Sequence, residues 1–89
     1  MLNKYLVEFV GTTFFLYVIL TTGNALAIGA ALAIAVLLGS KISGGNYNPA
    51  VSVMMVAAGK LPQSELLPYI IAQVLGGLTA LELSKKVKF

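Results

Sequence analysis

Asn48 stands in the one stretch, Ile42-Ser43-Gly44-Gly45-Asn46-Tyr47-Asn48-Pro49-Ala50-Val51, where a strongly apolar sequence gives way to polar, turn-forming residues and then resumes. Glycines 44 and 45 free the backbone to turn. Asn48 is a preferred residue for capping a helix start, and Pro49 fits the first helical position because it has no N–H to satisfy. The apolar run Val51 to Ala58 then ends at Gly59, a natural stop. About ten helical residues reach roughly 15 Å, half of a hydrocarbon core of about 30 Å. Such a segment enters a bilayer without crossing it, and irregular backbone at that depth is tolerated only inside protein or along a water-filled cavity. The stretch therefore predicts a pore lining. Elsewhere, Glu8 and Gln73 are polar groups inside apolar runs, and intramembrane polar groups mark function by default.

Other chemistry is excluded by composition. The chain has no cysteine, no histidine and no tryptophan, which removes disulfides, thiol nucleophiles and the usual metal ligands and proton shuttle. No catalytic constellation and no cofactor site is expected. With 58% hydrophobic and 10% charged residues, the chain predicts an integral membrane protein. The net charge of +3 comes from scattered lysines, which suit anionic lipid better than nucleic acid. Which membrane hosts it is open.

Positioning Asn48 falls to three apolar runs. Residues 5–22 are long enough to span a bilayer. A secretory signal is the rival reading of this run, with Lys4 as its charged start, and Glu8 inside the apolar part opposes it. After the polar link Thr22-Gly23-Asn24, residues 25–39 form a second span, antiparallel to the first. Ala25, Gly29 and Ala33 recur at the spacing that lets helices approach closely in lipid. The half-helix covers 49–58. Following the turn Gly59 to Gln63, Ser64 is placed to cap a third span over 65–83, in which Ala72, Gly76 and Ala80, with Gly77 beside them, form a second small-residue face. Glu82 can pair with Lys85 or Lys86. The fold class is all-α integral membrane: three transmembrane helices and one re-entrant half-helix in a single unit, 1–89, too small to enclose a pore alone.

Ser43-Gly44-Gly45-Asn46-Tyr47-Asn48-Pro49-Ala50-Val51 closely resembles the first Asn-Pro-Ala loop of the aquaporin and glycerol-facilitator family. Glu8-Phe9-Val10-Gly11-Thr12, Ala27-Ile28-Gly29 and Tyr69-Ile70-Ile71-Ala72-Gln73-Val74-Leu75-Gly76-Gly77 fall in family order around it. The resemblance covers nearly the whole chain and one half of the family's fold. It implies that Asn48, Pro49 and Ala50 form the midplane element, where the Asn48 amide and the positive end of the half-helix orient water and repel cations. It implies that the carbonyls of Gly44, Gly45 and Asn46 form a ladder of acceptors. The family usually carries histidine at the position of Asn46, for which a structural role is expected. Glu8 and Gln73 are implied to brace the loop through hydrogen bonds to its backbone. The family's narrowest point maps onto Ile28 and Val36, twenty and twelve residues before Asn48, and onto Val51, where an arginine follows the second motif of full-length members. All three are aliphatic here.

The family joins two inverted halves around one pore. Lys4, Lys41 and Lys60 are expected on one side, with Lys85, Lys86 and Lys88 on the other, so the chain carries no clear positive-inside bias and suits insertion both ways. The implied function is a passive channel for water and small neutral solutes such as glycerol. It would be an antiparallel homodimer, within a higher oligomer of four pores. Two alternatives are a half-subunit that joins a different half or a full-length relative, and a small dual-topology transporter using Glu8.

Overall fold

A computed structural model describes residues 2–87, which form four α-helices: α1 Leu2–Thr22, α2 Ala25–Ser43, α3 Pro49–Ala57 and α4 Leu66–Lys86. Three helical segments, Asn3–Thr22, Ala25–Ser43 and Gln63–Lys86, are long and apolar enough to cross a membrane. Only α3 is short: its 9 residues reach about 14 Å at 1.5 Å per residue.

Each boundary has a local cause. Gly23, at φ 55°, closes α1, and the Asn24 side chain then accepts the Ala27 N–H at 2.9 Å to open α2. Helix α2 passes through Gly39, where a stop was expected, and runs on to Ser43. Gly39 is a packing position with Val7 and Tyr47 against it, and the left-handed residue that ends the helix is Gly44, whose N–H donates to the Ser40 carbonyl. At the end of α3, Gly59 (φ 75°) donates to Val56 and Lys60 donates to Met55, the paired bonds of a Schellman cap. Ser64 does not cap α4. A 3-10 turn, Gln63–Glu65, precedes that helix, and the Glu65 N–H is satisfied by the Pro62 carbonyl, so backbone replaces the expected side-chain cap.

Helix α1 packs along both α2 and α4, while α3 leans on α4. Small residues make these approaches possible. On α4, Ala72, Gly76 and Ala80 are buried, and a Cβ on Gly76 would lie 2.9 Å from the Phe9 carbonyl oxygen. Gly77 faces the Leu16 side chain. On α2 the inward stripe is Ala31, Ala35, Gly39 and Ser43. Ala25, Gly29 and Ala33 point outward, and nothing stands within 4 Å of a Cβ built on Gly29, so the expected packing role of Gly29 is not met within this chain. The reason is register: two small-residue stripes lie on α2, and α1 takes the one that also admits Tyr47.

The interior is more polar than the exterior. Glu8, Thr12, Ser52, Gln73 and Tyr69 are the largest fully buried side chains, whereas Leu26 and Leu37 are 83% and 80% exposed. That distribution suits a lipid solvent, in which small residues and internal hydrogen bonds, more than hydrophobic burial, hold helices together. An ion pair of Lys4 with Glu65 at 3.0 Å joins the starts of α1 and α4 at one end. Tyr17 donates to the Val87 carbonyl at the other, where Lys85 pairs with Glu82. Lys88 lies outside the described residues.

Candidate functional site

The site is built on one carboxylate. Glu8 is fully buried, and its Oε2 accepts the Ser43 hydroxyl at 2.7 Å and the Asn46 N–H at 3.0 Å. Its Oε1 accepts the Tyr47 N–H at 2.8 Å and the Gln73 Nε2 at 2.9 Å. Four donors from three parts of the chain converge on one side chain, and a buried charge persists only when it is hydrogen-bonded in this way. Lys4, an alternative partner one turn away, is engaged by Glu65.

Gln73 has a different role from the one expected. Its amide nitrogen spans Glu8 and Ser52, bonding Ser52 Oγ at 2.8 Å, and makes no bond to loop backbone. Its carbonyl oxygen and the Thr12 hydroxyl are buried with no partner among the described residues. Asn46 also ends on Ser52, through Nδ2 at 2.9 Å, so one hydroxyl on α3 gathers donors from the loop and from α4. The stretch before the half-helix is thereby fastened from three directions. A further anchor is the Ser43 carbonyl, which accepts the Tyr69 hydroxyl at 2.7 Å.

The loop turns where three of four successive residues have positive φ: Gly44 at 91°, Gly45 at 63° and, after Asn46, Tyr47 at 57°. Tyr47 is the unexpected member. Its ring is 2% exposed, it fills the space left by Gly11 and Gly39, and its hydroxyl donates to the Ala35 carbonyl at 2.6 Å. Sequence reasoning gave Tyr47, Ser43, Ser52 and Tyr69 no task. The signal for Tyr47 was present as two mid-helix glycines, but nothing in one sequence pairs them with a loop residue.

Immediately after this buried tyrosine, Asn48, Pro49 and Ala50 are exposed. Asn48 caps α3 by accepting the Ala50 N–H at 2.7 Å, while its Nδ2 donates to no described residue. The carbonyls of Gly44, Gly45 and Asn46 likewise accept no bond among the described residues. Val36 runs beside the loop, its Cα 3.4 Å from a Cβ built on Gly45. Val51 and Ile28 are half-buried, and Ile28 lies eight residues, about 12 Å, before Val36 on α2. The arrangement presents free amide donors and free carbonyl acceptors on an otherwise apolar surface, which suits ordering small polar molecules more than transforming them.

Residues 20–88 match the family model described as major intrinsic protein. The chain is 35% identical over 88 residues to a glycerol uptake facilitator protein-like 6 of Lactiplantibacillus plantarum, covering 89% of this chain and 41% of that protein. It is 42% identical over 96 aligned residues to Aquaporin Z of Brucella melitensis, covering 90% of this chain and 42% of that protein. The chain thus spans less than half the length of these curated relatives. No solved structure matches it.

Proposed function

The chain belongs to the major intrinsic protein family and is a multi-pass integral membrane protein, and from that premise we propose that it is one half of a passive channel for water and small neutral solutes. The observation that carries this reading is the exposed Asn48 amide at the start of a half-length helix, beside carbonyls that no described residue uses. In a membrane those groups need partners, and a file of water or of a small polyol supplies them. The relatives carry the names glycerol uptake facilitator and aquaporin, which favour the same two solutes.

A second half-helix completes the passage, and we assign it to a second copy of this chain in the opposite orientation. The lysines support this: Lys4, Lys41 and Lys60 on one side face Lys85 and Lys86 on the other, with Lys88 following them in sequence, so neither orientation is clearly favoured. The exposed face of Asn48, Pro49 and Ala50 is then where the two copies meet, and such pairs assemble into a higher oligomer of four pores. A transporter built on Glu8 is disfavoured, because four hydrogen bonds hold that carboxylate in place.

Reconstitution into liposomes tests the reading. Stopped-flow shrinkage and re-swelling should show water and glycerol flux with ions excluded, and single cysteines placed near Asn3 and Lys86 should label from both faces. Labelling of every copy from one face alone ends the homodimer and promotes an unlike partner half. Absence of flux over bare liposomes ends the channel.

A further inference from the structure

We propose that Tyr47 is the positioning residue of this site: its phenol, seated between α1 and α2 and latched to Ala35, fixes where Asn48 points, so that helix packing sets the selectivity of the passage. The proposal rests on the channel reading for its link to selectivity, and on geometry alone for the placement of Asn48.

Three observations carry it. First, the backbone of Tyr47 is left-handed at φ 57°, a conformation a bulky residue keeps only where its surroundings over-determine it. Those surroundings are the Glu8 carboxylate on its N–H and the Ala35 carbonyl on its hydroxyl. Second, the seat admits no alternative. A Cβ on Gly11 would run into the Tyr47 ring, and one on Gly39 would meet the Tyr47 hydroxyl first, with Val7 Cγ1 at 2.8 Å and Tyr47 Cζ at 3.3 Å behind it. Third, the left-handed turn sends consecutive side chains in opposite senses. Tyr47 is buried at 2% and Asn48 beside it is exposed, so any movement of the ring in its slot is handed directly to the Asn48 backbone. Glu8 and Ser52 hold the loop in the protein, but only Tyr47 is both pinned by its own side chain and adjacent to Asn48.

The test compares Y47F, G39A and the double variant G39A/Y47F in protein carrying isotope-labelled asparagine, with the Asn48 side-chain amide resonances and the ratio of glycerol to water permeability as readouts. Y47F keeps the ring and loses the latch. The expected result is unchanged assembled yield, shifted Asn48 resonances with those of Asn3 and Asn24 in place, and a raised glycerol-to-water ratio. G39A should shift Asn48 further, and the double variant should move part of the way back toward the Y47F spectrum, because the hydroxyl that the new methyl meets first is gone while Val7 Cγ1 still stands 2.8 Å from it. A structural role alone would change yield and leave the ratio and the Asn48 resonances unmoved in Y47F; that result overturns the proposal. An Asn48 shift in the double variant as large as in G39A alone overturns it as well. An Asn48 shift in Y47F together with an impermeable wild-type protein supports the placement by Tyr47 and ends the channel reading instead.

Discussion

Glu8 Oε1 accepts the backbone N–H of Tyr47 at 2.8 Å, across 39 positions of sequence. This single bond joins the first spanning helix to the residue that precedes Asn48, and the same oxygen takes the amide of Gln73 from α4. The candidate site is therefore held from within by one charge. No described helix positions the loop alone: α1 supplies the acceptor, α2 the slot for Tyr47, and α3 and α4 the hydroxyl and amide that close the ring of bonds.

Replacing that acceptor should be severe. Glu8→Ala leaves two backbone N–H groups and one Gln73 donor facing no acceptor, at about 1 to 3 kcal/mol each when buried, and leaves the Ser43 hydroxyl only the Gly39 carbonyl at 3.4 Å. Folded, detergent-stable protein should fall to a small fraction of wild type by size-exclusion chromatography. Gln73→Ala removes one donor from Glu8 and one from Ser52 and should cost less. Either variant assembling fully while losing permeation would place its residue in the conduction path and refute the bracing role.

Ser52 offers a finer probe of the same network. Its hydroxyl accepts from Asn46 Nδ2 at 2.9 Å and from Gln73 Nε2 at 2.8 Å, so Ser52→Ala strands two buried donors, while Asn46→Ala strands none on Ser52 beyond its own loss. The two substitutions should be less than additive by about 1 kcal/mol, the size expected for residues in one hydrogen-bond network. Thermal unfolding of the single and double variants measures the coupling, and strict additivity would mean that the Asn46 to Ser52 bond contributes nothing.

The inward small-residue stripe of α4 and the outward one of α2 predict opposite outcomes for similar substitutions. Gly76→Ala on α4 forces a methyl to within 2.9 Å of the Phe9 carbonyl oxygen and 3.0 Å of Thr12 Cβ, overpacking of the kind that costs about 1 to 3 kcal/mol. Gly29→Ala on α2 meets nothing within 4 Å and should leave the chain's own stability unchanged or raised by up to about 1 kcal/mol through helix propensity. Thermal unfolding compares them. Loss of the assembled form in Gly29→Ala with the chain still folded would show that the outward stripe of Ala25, Gly29 and Ala33 meets a second copy.

Local signals carried much of the fold. The apolar run of α1, Asn48 before Pro49, and Gly59 after the half-helix each act through neighbours within a few residues, and the observed caps follow from them. Gly39 and Ser64 misled for the opposite reason. Gly39 has the look of a stop but serves Tyr47 from 8 residues away along the chain, and Ser64 has the look of a cap but yields to a backbone bond from Pro62. The site divides in the same way. Glu8 and Gln73 were visible because polar groups in apolar spans are costly, whereas the task of Ser52 depends on three elements meeting, which no local pattern encodes.

Val51→Arg tests the aliphatic constriction implied for Ile28, Val36 and Val51. Val51 is half-buried on the first turn of α3, three residues beyond Asn48, so a side chain there reaches the same region of surface as the exposed amide. In the proposed antiparallel pair the substitution would add one fixed positive charge and up to five donors at each mouth. An apolar ring selects only by width and by its tendency to dewet, so the wild-type passage should leak small neutral solutes such as glycerol alongside water. The arginine should narrow it, suppressing glycerol flux more strongly than water flux and lowering cation leakage further. Stopped-flow light scattering on proteoliposomes gives both fluxes. Equal loss of the two, or no loss of either, would show that Val51 lies outside the constriction and that discrimination rests on the paired Asn48 groups alone.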